Sequence, residues 1–273
     1  MDADTKSILF NVIGGVIVSI LTIIYLWCRH KFKSLHLQRV LGFSFSLPAR
    51  ITYSQFLPPP FINQATGAQH IFPKPPRKGG NPTPTGMFSL SHPVSECEVR
   101  GSSYLSSLLS SSSGRLPILL SDTDASALVD SNFLCLGWVG SNYKTADIVS
   151  SPRNIFLKKV IDKFVWISGG ELPYKCSNEA DYGIILRIAS PEFPDKAWIV
   201  CAGLGEWGTS GAAWFLSNKW QDILKRKETV FYRINPFRFP DFLAIIRVVP
   251  EQDESSSLVE LYVNKKGQAA KVK

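Results

Sequence analysis

The chain has 273 residues, 45% of them hydrophobic, with seven Trp and seventeen Phe, so it carries ample material for one folded core. Its formal charge of +8 invites a nucleic-acid reading, but half of that charge equals four basic residues beside a single apolar run, and nucleic-acid binding is not expected. Five cysteines without a CxxC spacing suggest neither a disulfide framework nor a zinc site. The four histidines (His30, His36, His70, His92) all precede the core-like part of the chain, which argues against a histidine-based triad or metal centre there.

Ile8 to Cys28 contains no charged side chain, and Arg29, Lys31 and Lys33 follow at once. At about 1.5 Å per residue such a run crosses a hydrocarbon core of about 30 Å with its backbone groups paired internally, so residues 1–35 are expected to form a transmembrane anchor with a basic flank. A cleaved signal peptide fits less well, because Asp2 and Asp4 stand against Lys6 in the leader and no small-residue cleavage site follows. Arg29, Lys31, Lys33 and Arg39 lie C-terminal to the span, which predicts a cytoplasmic C-terminal domain in the cell membrane and contact of these four residues with anionic lipid. Gly14 and Gly15 flatten one helix face without making a GxxxG pattern.

Residues 36–100 read as a proline-rich linker: ten of the eighteen prolines fall between Pro48 and Pro93. The run Phe72-Pro73-Lys74-Pro75-Pro76 could present a polyproline helix to a protein partner, the adaptor alternative to a plain spacer. Residues 101–273 read as one α/β domain. Eight serines among residues 101–115 surround Tyr104, Leu105, Leu108 and Leu109, a pattern that suits a short entry helix. Leu116–Leu120, a helix starting at Asp122-Thr123-Asp124, and Phe133–Val139 then predict a β-α-β unit. Further strands are expected at Phe164–Ile167, Tyr182–Ala189, Ala197–Ala202, Phe242–Val249 and Leu258–Val263. The short connection Ser190–Lys196 demands an antiparallel hairpin, and Pro250–Ser257 should make another. The predicted fold is a Rossmann-like three-layer α/β domain with a mixed, partly antiparallel sheet behind one transmembrane helix.

Gly203, Gly205 and Gly208 form a GxGxxG string between a predicted strand and a helix running to about Lys227, with Thr209 next in line. Such glycines let backbone approach a ligand while helix N–H groups favour an anion. Glu206 inside the loop would repel a pyrophosphate, the preceding strand comes from a hairpin, and Glu228 is poorly placed for a ribose, so classical NAD binding is not expected. Another small ligand, a nucleotide among them, and a purely structural close-packed turn both remain open. Gly140, Ser141, Asn142 and Lys144 follow the strand ending at Val139 and would face the same cleft if strands 133–139 and 197–202 are parallel neighbours. In that arrangement Glu206 is the candidate acid and Lys144 the candidate cation; the alternative is a polar turn with a helix cap at Ser141 or Asn142. Asp181 either reaches the same region or serves as a turn residue.

The loop Gly137-Trp138-Val139-Gly140-Ser141-Asn142, then Asp181-Tyr182-Gly183-Ile184-Ile185, a proline-bearing turn at 190–196, Ala202-Gly203 and Gly208-Thr209 together resemble an uncharacterised bacterial Rossmann-like domain found in membrane-anchored proteins. The first loop, and Ala189-Ser190-Pro191 where that domain has Asn-Pro, depart from its pattern. The resemblance implies a single domain over 115–263 and no particular activity. The expected function is ligand or partner binding by a membrane-tethered domain, with no cofactor or metal assigned. The alternative is an enzyme acting on a nucleotide or sugar derivative, with Glu206 as general acid or base.

Overall fold

The computed structural model describes residues 3–46, 48–55, 72–73, 87–88, 94–160, 163–166, 170–226 and 240–272. Most of the proline-rich stretch, Lys74–Pro76 included, and Glu228 lie outside them. A mixed eight-stranded sheet organises the chain. Its strands are β1 (Arg50–Tyr53), β4 (Ile118–Ser121), β5 (Phe133–Leu136), β8 (Asp181–Ala189), β9 (Ala197–Gly203), β10 (Phe242–Val249), β11 (Gln252–Lys265) and β12 (Gln268–Lys271), in the order β12-β11-β10-β8-β9-β5-β1-β4. Two short antiparallel pairs stand apart: β2 (Phe72–Pro73) with β3 (Met87–Phe88), and β6 (Leu157–Val160) with β7 (Lys163–Trp166). The run at 164–167 thus joins a separate hairpin and not the main sheet, and Ile167 lies outside the described residues.

One half of the sheet is parallel (β4, β1, β5, β9) and the other antiparallel (β9, β8, β10, β11, β12). The connections enforce this. Seven residues between Ala189 and Ala197 reach only the adjacent antiparallel position, and Pro250-Glu251, with Glu251 at φ 66°, closes the β10–β11 hairpin. In the parallel half, α2 (Glu96–Ser113) follows β1, α3 (Asp122–Ser126) follows β4, α4 (Tyr143–Val149) follows β5, and α5 (Gly208–Asn218) follows β9. The predicted β-α-β unit is present, but β4 and β5 are not neighbours. The four-residue β1 lies between them, with Ile51 opposite both Leu119 and Leu134.

Both faces of the sheet are covered. On one, α2, α5, α6 (Gln221–Lys225) and the end of α1 (Ala3–Leu41) pack on Ile51, Leu134, Leu136, Ile185 and Ile199. On the other, α3, α4 and the β6–β7 hairpin cover Phe133, Cys135, Ile184, Leu186 and Val200. Burial of these aliphatic and aromatic side chains, at about 25 cal/mol per Å² of apolar surface, is the main stabilising contribution. The helix expected to reach Lys227 breaks at Lys219-Trp220, where the Lys219 ammonium donates to Ser256 O (2.7 Å) and Trp220 sinks into the core.

The division at residue 36 differs from the structure. Helix α1 runs without interruption from residue 3 to Leu41, with residues 13–27 all exposed. Leu37, Val40, Leu41 and Phe43 then enter the first core. The helix is long and apolar enough to cross a bilayer, and its last turns belong to the α/β domain, as do β1 and the first turn of α2. Leu41→Ala is therefore expected to cost about 2–5 kcal/mol of domain stability, the range for a truncated core leucine. A linker position would change stability by no more than about 0.5 kcal/mol. Chemical denaturation of the two proteins, followed by Trp fluorescence, distinguishes them.

Candidate functional site

The glycine turn joins β9 to α5, and its geometry is set by a carboxylate from the same chain. Asp181, the first residue of the neighbouring β8, accepts hydrogen bonds through Oδ2 from the backbone N–H of Trp207 (2.7 Å) and Gly208 (3.1 Å). Its Oδ1 accepts from the backbone N–H of Tyr182 (2.5 Å) and from the Cys176 thiol (3.0 Å), and burial pushes that thiol up to about 11. The amides at the start of α5, where a bound phosphate would sit, thus already hold an anion. A Cβ at Gly205 would lie 2.6 Å from Asp181 Oδ1, and one at Gly208 would lie 2.0 Å from Tyr182 O. Gly203 donates its N–H to Thr209 Oγ1 (2.8 Å), which turns the Thr209 hydroxyl back onto the strand. Glu206 is exposed at the turn's outer side. The turn's glycines are explained by close packing around Asp181, a residue placed in this region on sequence grounds but without that role.

The loop after β5 divides. Gly140 is exposed. Asn142 is the N-cap of α4: Oδ1 accepts from Thr145 N (2.9 Å) and Nδ2 donates to Leu136 O (2.7 Å). Lys144, expected as the cation of the cleft, turns the other way. Its side chain is buried at 1% exposure, donates to Leu128 O (2.5 Å), and lies over the rings of Phe133 (4.7 Å) and Trp198 (5.1 Å). Burial lowers the pKa of its ammonium group. Ser141 alone of the four turns toward the end of β1, with its Oγ 3.3 Å from the Ser54 hydroxyl and donating to Trp138 O (3.2 Å).

At the end of β1 stands a residue the sequence did not single out. Glu98, in the first turn of α2, reaches across to the end of β1. Its Oε2 accepts from Ser54 N (2.6 Å) and its Oε1 from Ser54 Oγ (2.7 Å). Gly137 makes room for it: a Cβ there would lie 2.2 Å from Glu98 Oε1, and the residue sits at φ 104°. Glu98 is 3% exposed, and burial, partly offset by the Ser54 hydrogen bonds, pushes its carboxyl up to about 7. Asp122 completes the frame, accepting from Gln55 N (3.0 Å) and Tyr143 N (2.9 Å). Nearby, fully buried Asp253 accepts from Arg100 (2.7 and 2.9 Å), Tyr104 (2.9 Å) and Ser210 (2.7 Å), and Arg100 lies over the Trp207 ring at 5.3 Å.

Glu98, Ser54 and Ser141 form a hydrogen-bonded row at the C-terminal ends of two adjacent parallel strands, with α2 packed on one face of the sheet and α4, which follows β5, on the other. Open α/β sheets bind ligands at such divergence points. A carboxyl poised near neutral pH can donate or accept a proton there. Among the described residues, no group of His, Cys, Asp or Glu could hold a metal ion. The chain matches no protein-family model, and no curated protein or solved structure is similar to it.

Two outcomes follow from these contacts. Folding raises the Glu98 carboxyl from 4.5 to about 7, so its contribution is fully present below 4.5 and is lost as pH rises through about 7. The shift corresponds to roughly 3 kcal/mol of preference for the neutral form. The stability of the Glu98→Gln variant should therefore fall less between those pH values than that of the parent, as read by urea midpoints. Gly205→Val should destabilise the fold through its clash with Asp181, and thermal unfolding should register the loss with no ligand present.

Proposed function

We infer that this protein is a single-pass membrane protein whose α/β domain is Rossmann-like and binds a small ligand without catalysing a reaction. The observation that carries the reading is the Glu98–Ser54–Ser141 row at the β1/β5 divergence point. Ser141 is the contact residue, with Glu98 behind it, and Ser54, Gly137 and Asp122 hold the frame. Gly203, Gly205, Gly208 and Thr209 serve the fold.

The charge around the Glu98–Ser54–Ser141 row favours a hydroxyl-bearing or cationic ligand over a phosphorylated one. Glu98, Asp122, Asp181, Asp253 and Glu206 gather at this edge of the sheet, and Arg100 is bound to Asp253. A phosphate would meet uncompensated repulsion, whereas sugar hydroxyls or an amine would find acceptors. Absence of catalysis is supported by Ser54, whose hydroxyl is fully buried and out of reach of a substrate. The anchored topology is supported by α1, and a cytoplasmic domain by the basic residues Arg29, Lys31, Lys33 and Arg39 beyond the apolar run.

The test is a thermal-shift screen of the detergent-solubilised full chain against free sugars, nucleosides, polyamines and their phosphorylated counterparts. A hydroxyl-rich or cationic compound should raise the midpoint, its phosphate ester should do so less, and Ser141→Val should abolish the shift while leaving the ligand-free midpoint nearly unchanged. Turnover of any hit would favour the enzyme alternative, with Glu98 and not Glu206 as the acid or base.

A further inference from the structure

We propose that the segment from Gly114 to Leu119 is a second membrane contact, lying on the bilayer surface beside the anchor. The proposal rests on the reading of α1 as a membrane span. The apolar run ends at Cys28, and Ser34 Oγ donates to Ser112 O (3.3 Å), which ties α1 to the last turn of α2. Ser34 lies six helical steps beyond Cys28, about 9 Å of rise. The headgroup layer on each side of the hydrocarbon core is about 5–8 Å thick. The C-terminal end of α2 is thereby held at the outer limit of that layer. Because α1 is continuous from its exposed turns into the core at Leu37 and Leu41, no hinge lets the domain swing away.

The residues held there suit that environment. Leu116 is 79% exposed, Leu119 53% and Ile118 40%, an apolar group on a turn and an edge strand with no partner strand beyond it among the described residues. Leu116 borders a narrow gap with Phe45 and Ala49, residues just beyond the end of α1. Arg115 donates to Ser46 O (2.7 Å), which fixes this turn to the α1–β1 connection, and the residue is exposed. Apolar side chains flanked by cations are the composition of an interfacial contact. The same geometry sets the candidate ligand site, at the C-terminal ends of the parallel strands, on the side of the sheet away from the bilayer.

The test uses the full chain in nanodiscs of phosphatidylcholine and phosphatidylglycerol. An environment-sensitive fluorophore is placed on Leu116→Cys, Val18→Cys or Glu179→Cys in a Cys28→Ser, Cys176→Ser background, Cys97, Cys135 and Cys201 being buried. Spin-labelled lipids quench it. Headgroup-proximal spin label should quench position 116 and leave position 179, at the opposite edge, unquenched. Deep-chain label should quench position 18. Quenching at 18 without quenching at 116 overturns the second contact and leaves the anchor intact. Loss of quenching at 18 overturns the anchor, and the second contact with it.

Discussion

Ser54 and Gln55, the two residues that leave β1, present backbone N–H groups inside the protein with no strand to receive them, and each is met by a buried carboxylate: Glu98 from α2 and Asp122 from α3. A buried N–H without a partner is costly, so these two contacts fix the end of β1. They also decide the rest of the parallel half. Strand β1 separates β4 from β5, and its end carries Ser54, whose hydroxyl meets Ser141. Glu98 would ordinarily fold back onto its own helix start, since Ser95 and Glu98 have the capping-box spacing. Ser95 makes no side-chain cap, and the glutamate is spent on another element.

The same economy appears at α5. A helix start next to a glycine turn attracts anions, and here the anion is Asp181, delivered by the antiparallel strand beside it. The hairpin that makes β8 antiparallel to β9 sets Gly183 opposite Gly203, the last residue of β9, so that Asp181 reaches two residues past that end to the turn. Mixed topology is thus what fills the site that a wholly parallel sheet would leave to a ligand. The edge that would carry phosphate chemistry becomes acidic instead.

Much of the sheet was legible. The β-branched runs at 182–189, 197–202 and 242–249 are long enough to declare themselves, and the short Ser190–Lys196 connection dictates its hairpin. The parallel pairing of β5 and β9 is as expected and brings both loops to one edge of the sheet. Strand β1 was not legible, because four residues flanked by prolines carry no measurable alternation. Lys144 was misplaced for a related reason: a lysine two residues past a helix cap reads as solvent-facing, and only the turn of the helix over Phe133 and Trp198 sends it inward. Glu98 had a signal in Ser95-x-x-Glu98, but that pattern predicts a local cap and says nothing of a strand end forty-four residues earlier. Asp253 had none, since a hairpin aspartate reads as a turn residue until three donors from two other helices converge on it.

The unbroken passage of α1 into the core gives the protein a mechanical character that a tethered domain lacks. A helix seated in lipid tilts when hydrocarbon thickness changes. In a domain hung on a flexible linker that tilt is dissipated. Here Leu37, Val40, Leu41 and Phe43 are both the end of the lever and part of the layer that packs on the sheet. On the proposed reading of α1 as a membrane span, lateral forces in the bilayer would arrive as strain between α1 and α6 and beneath β1, so that the physical state of the lipid and the packing of the domain would share one rigid element.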